Sequence, residues 1–167
     1  FSSKRDDSKL MLDTIWNKQV EDMAKEGDYN PNFEFDLPQG GTANWRPQLS
    51  PDKFGCYDFA TLSSDIPNQV NYATVIVERK KSGKVRMKLG ADWRLKMWVN
   101  GKEEFRCDAG AHFPKFELFV PLKKGKNVIS FKLGGGRSGC KLWALLESEN
   151  AQGVHSKANP ELDAVIL

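Results

Sequence analysis

From residue 71 onward apolar and polar residues alternate in short runs broken by turn residues, a pattern that predicts strands. Residues 72–78 (YATVIVE) are apolar on both faces and β-branched, which fits a central, buried strand. Lys80, Lys81, Ser82 and Gly83 then turn the chain. Val85, Met87 and Leu89 alternate with Arg86 and Lys88, the mark of a strand with one dry and one wet face. After Gly90, Ala91 and Asp92, the residues Leu95, Met97 and Val99 alternate with Lys96 and Trp98. Asn100-Gly101 predicts a type I′ hairpin turn, because both residues tolerate positive φ, and 102–106 returns. A loop holding Asp108, Gly110, His112 and Pro114 follows. Strands over 116–120 and 128–133 flank a Lys-Lys-Gly-Lys-Asn turn at 123–127, and a glycine-rich connection over 134–139 leads to a last strand at 142–146.

The first third reads differently. Leu10, Met11, Ile15, Trp16, Val20 and Met23 are spaced for a short amphipathic helix over 10–24 with Asp7 or Ser8 as its cap. An extended segment lying on a sheet is the alternative. Residues 28–67 carry five of the eight prolines and the Gly40-Gly41 pair, so loops with short strands are expected, one of them over 57–62. The last twenty residues thin into polar coil ending at 164–167. Short strands without intervening helices predict an antiparallel all-β sandwich or barrel. The chain is read as one β-sandwich domain over 1–167: a looped arm and first strands over 1–70, the main meander over 71–147, and a polar tail over 148–167.

Composition narrows the class. Ten Phe, five Trp and three Tyr in 167 residues supply a core and exclude wholesale disorder. No stretch approaches the roughly 20 apolar residues that a membrane helix needs. A start at Phe1 without a basic-then-apolar leader leads to the expectation of a processed product or a piece of something longer.

The net charge of +3 conceals segregation. Residues 1–78 carry a net of −6, residues 79–141 a net of +12 and residues 142–167 a net of −3. Two readings follow: an anionic partner for the basic middle, or acidic ends that fold back over it while outward lysines solvate strand faces. Nucleic acid as that partner would require a recognition helix or an RNA-module signature, and the sequence shows neither.

Candidate chemistry is sparse. Cys56, Cys107 and Cys140 form no Cys-x-x-Cys pair, so neither a zinc knuckle nor a redox motif is predicted. Gly134-Gly135-Gly136-Arg137-Ser138-Gly139 satisfies G-x-G-x-x-G, but a phosphate cradle needs a following helix, and residues 141–147 alternate as a strand. Cys107, Asp108 and His112 contain the residue types of a nucleophilic set, yet they share one loop, whereas a base is oriented from a separate element. Nothing singles out a pair of carboxylates for glycoside hydrolysis. Aromatic side chains are more informative. Trp98 falls on the lysine side of its strand, as an outward platform or as packing under a loop or second sheet. Trp93-Arg94 and Trp45-Arg46 set an indole beside a guanidinium in loops. Trp16 and Trp143 are assigned to packing.

Several of these features converge. Leu89-Gly90, Asp92, residues 98–102 (WVNGK), the turn over 122–127 and the glycine run over 134–139 resemble β-sandwich modules of the galactose-binding-domain-like, jelly-roll type. Leu12-Asp13-Thr14 and Trp45-Arg46-Pro47 resemble the irregular N-terminal wrap of such modules. Similarity covers about 65 residues well and about 140 loosely. It implies a non-catalytic module appended to a secreted or cell-surface bacterial polysaccharide-degrading protein, with the other domains of that parent as neighbours. Glycan, including acidic glycan, is the implied ligand. Where such modules often read Asp-Asp-Gly, this chain reads Asp92-Trp93-Arg94, so no metal site is carried over and no cofactor is expected. The candidate ligand-binding residues are Trp93, Arg94, Trp45, Arg46, Trp98 and His112, with none catalytic. The competing expectation is a structural or docking sandwich that positions its neighbours and binds no sugar. An outright enzyme is the third.

Overall fold

Alternation along the meander resolves into two antiparallel sheets packed face to face, an all-β sandwich, in a computed structural model that describes residues 10–37, 40–45, 52, 55–59, 70–108, 111–135, 140–147 and 164–166. The larger sheet contains β4 (Val70–Arg79), β6 (Arg94–Val99), β7 (Lys102–Cys107), β9 (Gly125–Gly134) and β11 (Ala164–Ile166), in the order β11-β4-β9-β6-β7. The smaller contains β3 (Cys56–Asp58), β5 (Gly83–Ala91), β8 (Ala111–Leu122) and β10 (Lys141–Glu147), in the order β3-β10-β5-β8. Val85, Met87 and Leu89 from one sheet meet Leu95, Met97, Val99, Ile129, Phe131 and Leu133 from the other in a single core cluster. Each such side chain, once fully buried, contributes about 1.5–3 kcal/mol. Asn100 and Gly101 take φ of 49° and 89°, as a type I′ turn requires.

The outer face of the larger sheet is roofed by the N-terminal arm. Two helices, α1 (Leu10–Asp13) and α2 (Lys18–Glu26), pack on β9, and α1 also packs on β6. The single helix expected over 10–24 is therefore broken, and its cap is Asn17, whose Oδ1 accepts from the Val20 N–H at 3.1 Å. Asp7 and Ser8 lie outside the described residues. The break has a cause in the sheet. Lys132 Nζ donates to the carbonyls of Leu12 and Thr14, which a continuous helix would use internally. The second helix ends at Gly27 in the left-handed region, φ 68°, where the Asp28 N–H returns to the Met23 carbonyl at 2.9 Å. A Cβ on Gly27 would lie 2.5 Å from the Asn100 carbonyl carbon, so the helix end seats directly on the β6–β7 turn. A short hairpin of β1 (Glu34–Asp36) and β2 (Thr42–Asn44), turned through Gly40 and Gly41, completes the described arm.

Three other expectations change. The loop assigned to His112 and Pro114 is strand backbone, because β8 begins at Ala111. The register jumps from Leu89–Phe116 to Ala91–Ala111, so residues 112–115 bulge opposite Gly90. A proline is tolerated there because β8 is the edge of its sheet. The strand expected over 57–62 is Cys56–Asp58, and residues 60–69 lie outside the described set. The C-terminal coil contains a strand: Val165 pairs with Ile76, so β11 covers part of the edge of β4. All three cysteines are free.

Candidate functional site

The β5–β6 connection crosses from the small sheet to the large one through Asp92 and Trp93. The Asp92 N–H donates to the Lys141 carbonyl at 3.1 Å, which pins the crossing against the start of β10. Trp93 is held at the end of the sandwich with 39% of its surface exposed. Register gathers further backbone at this end: Leu95 faces Cys107, Ala91 faces Ala111, and Arg94 faces Gly134. His112 therefore joins Trp93 here by its backbone, while its side chain lies outside what is described.

Arg94 is not presented in an open loop, and Trp98 takes the packed one of its two expected placements. Arg94 opens β6 on the outer face of the large sheet and is only 7% exposed. Trp98, on the same face, is 3% exposed, with Lys96 Nζ 5.6 Å from its ring centre. Strand alternation set both away from the inter-sheet core, but the arm covers the outer face, so their wet side is a second interior. Neither ring nor guanidinium is available as a contact surface in this arrangement.

Trp45 belongs to another cluster. Its ring lies 5.5 Å from Tyr29 and 4.9 Å, edge-on, from Phe35, which in turn lies 5.3 Å from Phe33. Tyr29 follows Gly27, which abuts the Asn100–Gly101 turn at the far end of β6 from Trp93. Trp45 and Trp93 are thus not brought together. Arg46 lies outside the described residues, as does the glycine run over 136–139. Its flanks are strands on both sides, β9 and β10, rather than a strand and a helix.

The Cys107, Asp108 and His112 set has its acid engaged elsewhere. Arg106 Nε lies 3.2 and 3.1 Å from the two oxygens of Asp108. The Arg106 guanidinium also holds Asp13 of the arm, with Nη2 2.8 Å from Oδ2. That bond, assisted by the charges of Arg106 and Lys96, lowers the Asp13 carboxyl to about 2, while the two carboxylates raise Arg106 above its ordinary value. Burial pushes the Cys56 and Cys140 thiols up to about 11. Among the described residues no group of three or more His, Cys, Asp or Glu is arranged to hold a metal ion, and no helix is long and apolar enough to cross a membrane.

The turns at the opposite end do more than reverse the chain. There the Asn127 side chain, with no exposed surface, donates to the carbonyls of Lys123 at 2.8 Å and Gly125 at 2.9 Å, and accepts from the Lys123 N–H at 2.8 Å. Asn100 Nδ2 reaches Asn127 Oδ1 at 2.9 Å, and the Lys124 N–H reaches Ser82 Oγ at 2.8 Å, so three turns are cross-braced. Lys-Lys-Ser-Gly-Lys and Lys-Lys-Gly-Lys were each visible as a turn. Their meeting is a property of the register.

The chain matches no protein-family profile and no curated protein.

Proposed function

We propose that this chain is a non-catalytic carbohydrate-binding module of a larger secreted or cell-surface polysaccharide-degrading protein, built as a jelly-roll-like sandwich. The observation that carries the reading is Trp93, an indole held in a pinned crossing at the end of the sandwich and open to solvent. A flat ring carried on a pinned backbone can stack on the C–H face of a sugar. The jelly-roll form is supported by the path of the chain, which crosses between sheets at β4–β5, β5–β6, β7–β8, β8–β9 and β9–β10. Arg94 and Trp98 have no part in this version of the site, because both are buried.

Their burial favours a second reading, a structural or docking sandwich that binds no sugar. The two are separated by titrating the folded chain with a panel of neutral and acidic oligosaccharides, beside Trp93→Ala. Saturable binding lost in that variant supports the module. Silence of the folded protein across the panel leaves the docking role.

A further inference from the structure

Seventeen Lys and Arg lie between residues 79 and 141, and thirteen of them fall into two populations. On the sheet faces Arg86, Lys88, Lys96, Lys102, Arg106 and Lys132 each have a carboxylate within ion-pair distance. At the end opposite Trp93 the pattern is different. The β4–β5 turn brings Arg79, Lys80, Lys81 and Lys84, and the β8–β9 turn brings Lys123, Lys124 and Lys126. Arg79 lies opposite Gly125 and Lys84 opposite Pro121, so the two turns stand side by side. Glu78 is the one carboxylate on these segments, and Lys80, Lys84, Lys123, Lys124 and Lys126 form no ion pair with a described residue. Like charges held together by a braced turn scaffold repel one another, and an approaching polyanion relieves that repulsion.

An aromatic side chain flanks the cluster. Phe119 is the most exposed large apolar residue described, at 61%, on the outward face of β8. It pairs with Arg86, and two residues on Pro121 pairs with Lys84, so the ring lies beside the cations. Glu117 and Glu147 adjoin Arg86 on the same face.

We propose that this end of the sandwich, with the Phe119 face beside it, is a binding surface for a linear acidic polysaccharide, distinct from the Trp93 end. The lysines meet carboxylate or sulfate groups, and Phe119 stacks on a pyranose ring. Glu117 and Glu147 favour sugar over nucleic acid. Their oxygens can also accept from hydroxyl groups, and Phe119 is the single exposed aromatic described on this face, whereas a nucleic-acid strand would call for successive stacking platforms. The surface is separated from Trp93 by the length of β5, roughly 27 Å at strand rise.

The test uses the full chain against polygalacturonate, dextran sulfate, neutral dextran and oligo-deoxythymidine, at about 50 and about 300 mM salt, because charge-driven binding falls steeply over that range. Binding is expected to one or both acidic polysaccharides and not to neutral dextran, and the two acidic arms tell carboxylate from sulfate recognition. The exposed-site variant Lys80→Gln/Lys84→Gln/Lys124→Gln/Lys126→Gln should lose about tenfold or more in affinity with a flatter salt dependence. Phe119→Ala should weaken polysaccharide binding with the salt dependence unchanged, and Trp93→Ala should leave this binding intact even if it abolishes oligosaccharide binding. The proposal is overturned if the folded chain ignores both acidic polysaccharides, if the quadruple variant binds as tightly as the parent, or if oligo-deoxythymidine binds more tightly than either.

Discussion

Lys132 Nζ lies 2.6 Å from Glu21 Oε1, and both side chains are buried between the large sheet and the arm. The ammonium spends its other two protons on the Leu12 and Thr14 carbonyls at 3.2 and 2.6 Å, and the Tyr72 hydroxyl donates to the same Glu21 oxygen at 2.7 Å. A cation from the basic middle of the chain is thus completed by an acid and two carbonyls from the acidic first segment. Asp13, held by Arg106, repeats the relationship at the surface. Burial draws the Lys132 ammonium below its ordinary range, and burial with the Glu21 contact raises the Tyr72 hydroxyl.

Breaking this pair from one side should be costly. Lys132→Met leaves two arm carbonyls without their donor and the buried Glu21 carboxylate without its counter-charge, and the expected loss is about 3–5 kcal/mol. Lys132→Met combined with Glu21→Leu removes both charges and should recover part of it. Urea unfolding of the two variants checks this; a double variant no more stable than the single one would refute the account.

The Asp13–Arg106 contact predicts an acid-sensitive arm. The folded Asp13 value of about 2 lies below its ordinary 3.8, so its contribution is fully present above that ordinary value and is lost as pH falls through the folded one. Pepsin cleavage within the arm should accelerate as pH drops from about 4 to about 2. Asp13→Asn should already be cleaved faster at the upper end and show a smaller step. Because Asp13 is on the surface, about 1 M salt should shrink the difference between parent and variant. An identical pH step in Asp13→Asn would count against the contact.

What the sequence made legible was local. The alternation of Val85, Met87 and Leu89, and of Leu95, Met97 and Val99, gave two facing strands, and Asn100-Gly101 gave the hairpin turn from the second of them into β7, because period and turn chemistry are written within a few residues. The failures are contacts between distant segments. Trp98 and Arg94 sit at outward positions by strand alternation, yet both are buried on a face over which the arm packs against β6 and β9. The helix over 10–24 is broken by a lysine more than a hundred positions away. The β8 bulge and the pairing of β11 with β4 depend on partners that no local pattern names. The same limit applies to the candidate surfaces: Trp93 was identifiable as a loop aromatic, whereas the meeting of the two lysine turns required Arg79 to be seen opposite Gly125.

Asn127 ties that meeting to stability. Its amide nitrogen donates to the carbonyls of Lys123, Gly125 and, at 3.3 Å, Val77, while its oxygen accepts from the Lys123 N–H and from Asn100. Asn127→Ala abandons this set in a buried site and should cost about 2–4 kcal/mol, since each orphaned group carries a desolvation penalty of about 1–3 kcal/mol. Asn127→Asp is the sharper test. It keeps the acceptor toward Lys123 but turns a second oxygen on three carbonyls, so the buried carboxyl favours its protonated form, in which one O–H can donate. A folded value raised above the unfolded one makes the variant's penalty relative to the parent grow as pH rises from about 4 to about 7. Thermal unfolding of parent and variant at both pH values measures it. A penalty that is constant with pH would mean that the Asn127 amide is not the donor that holds the turn together.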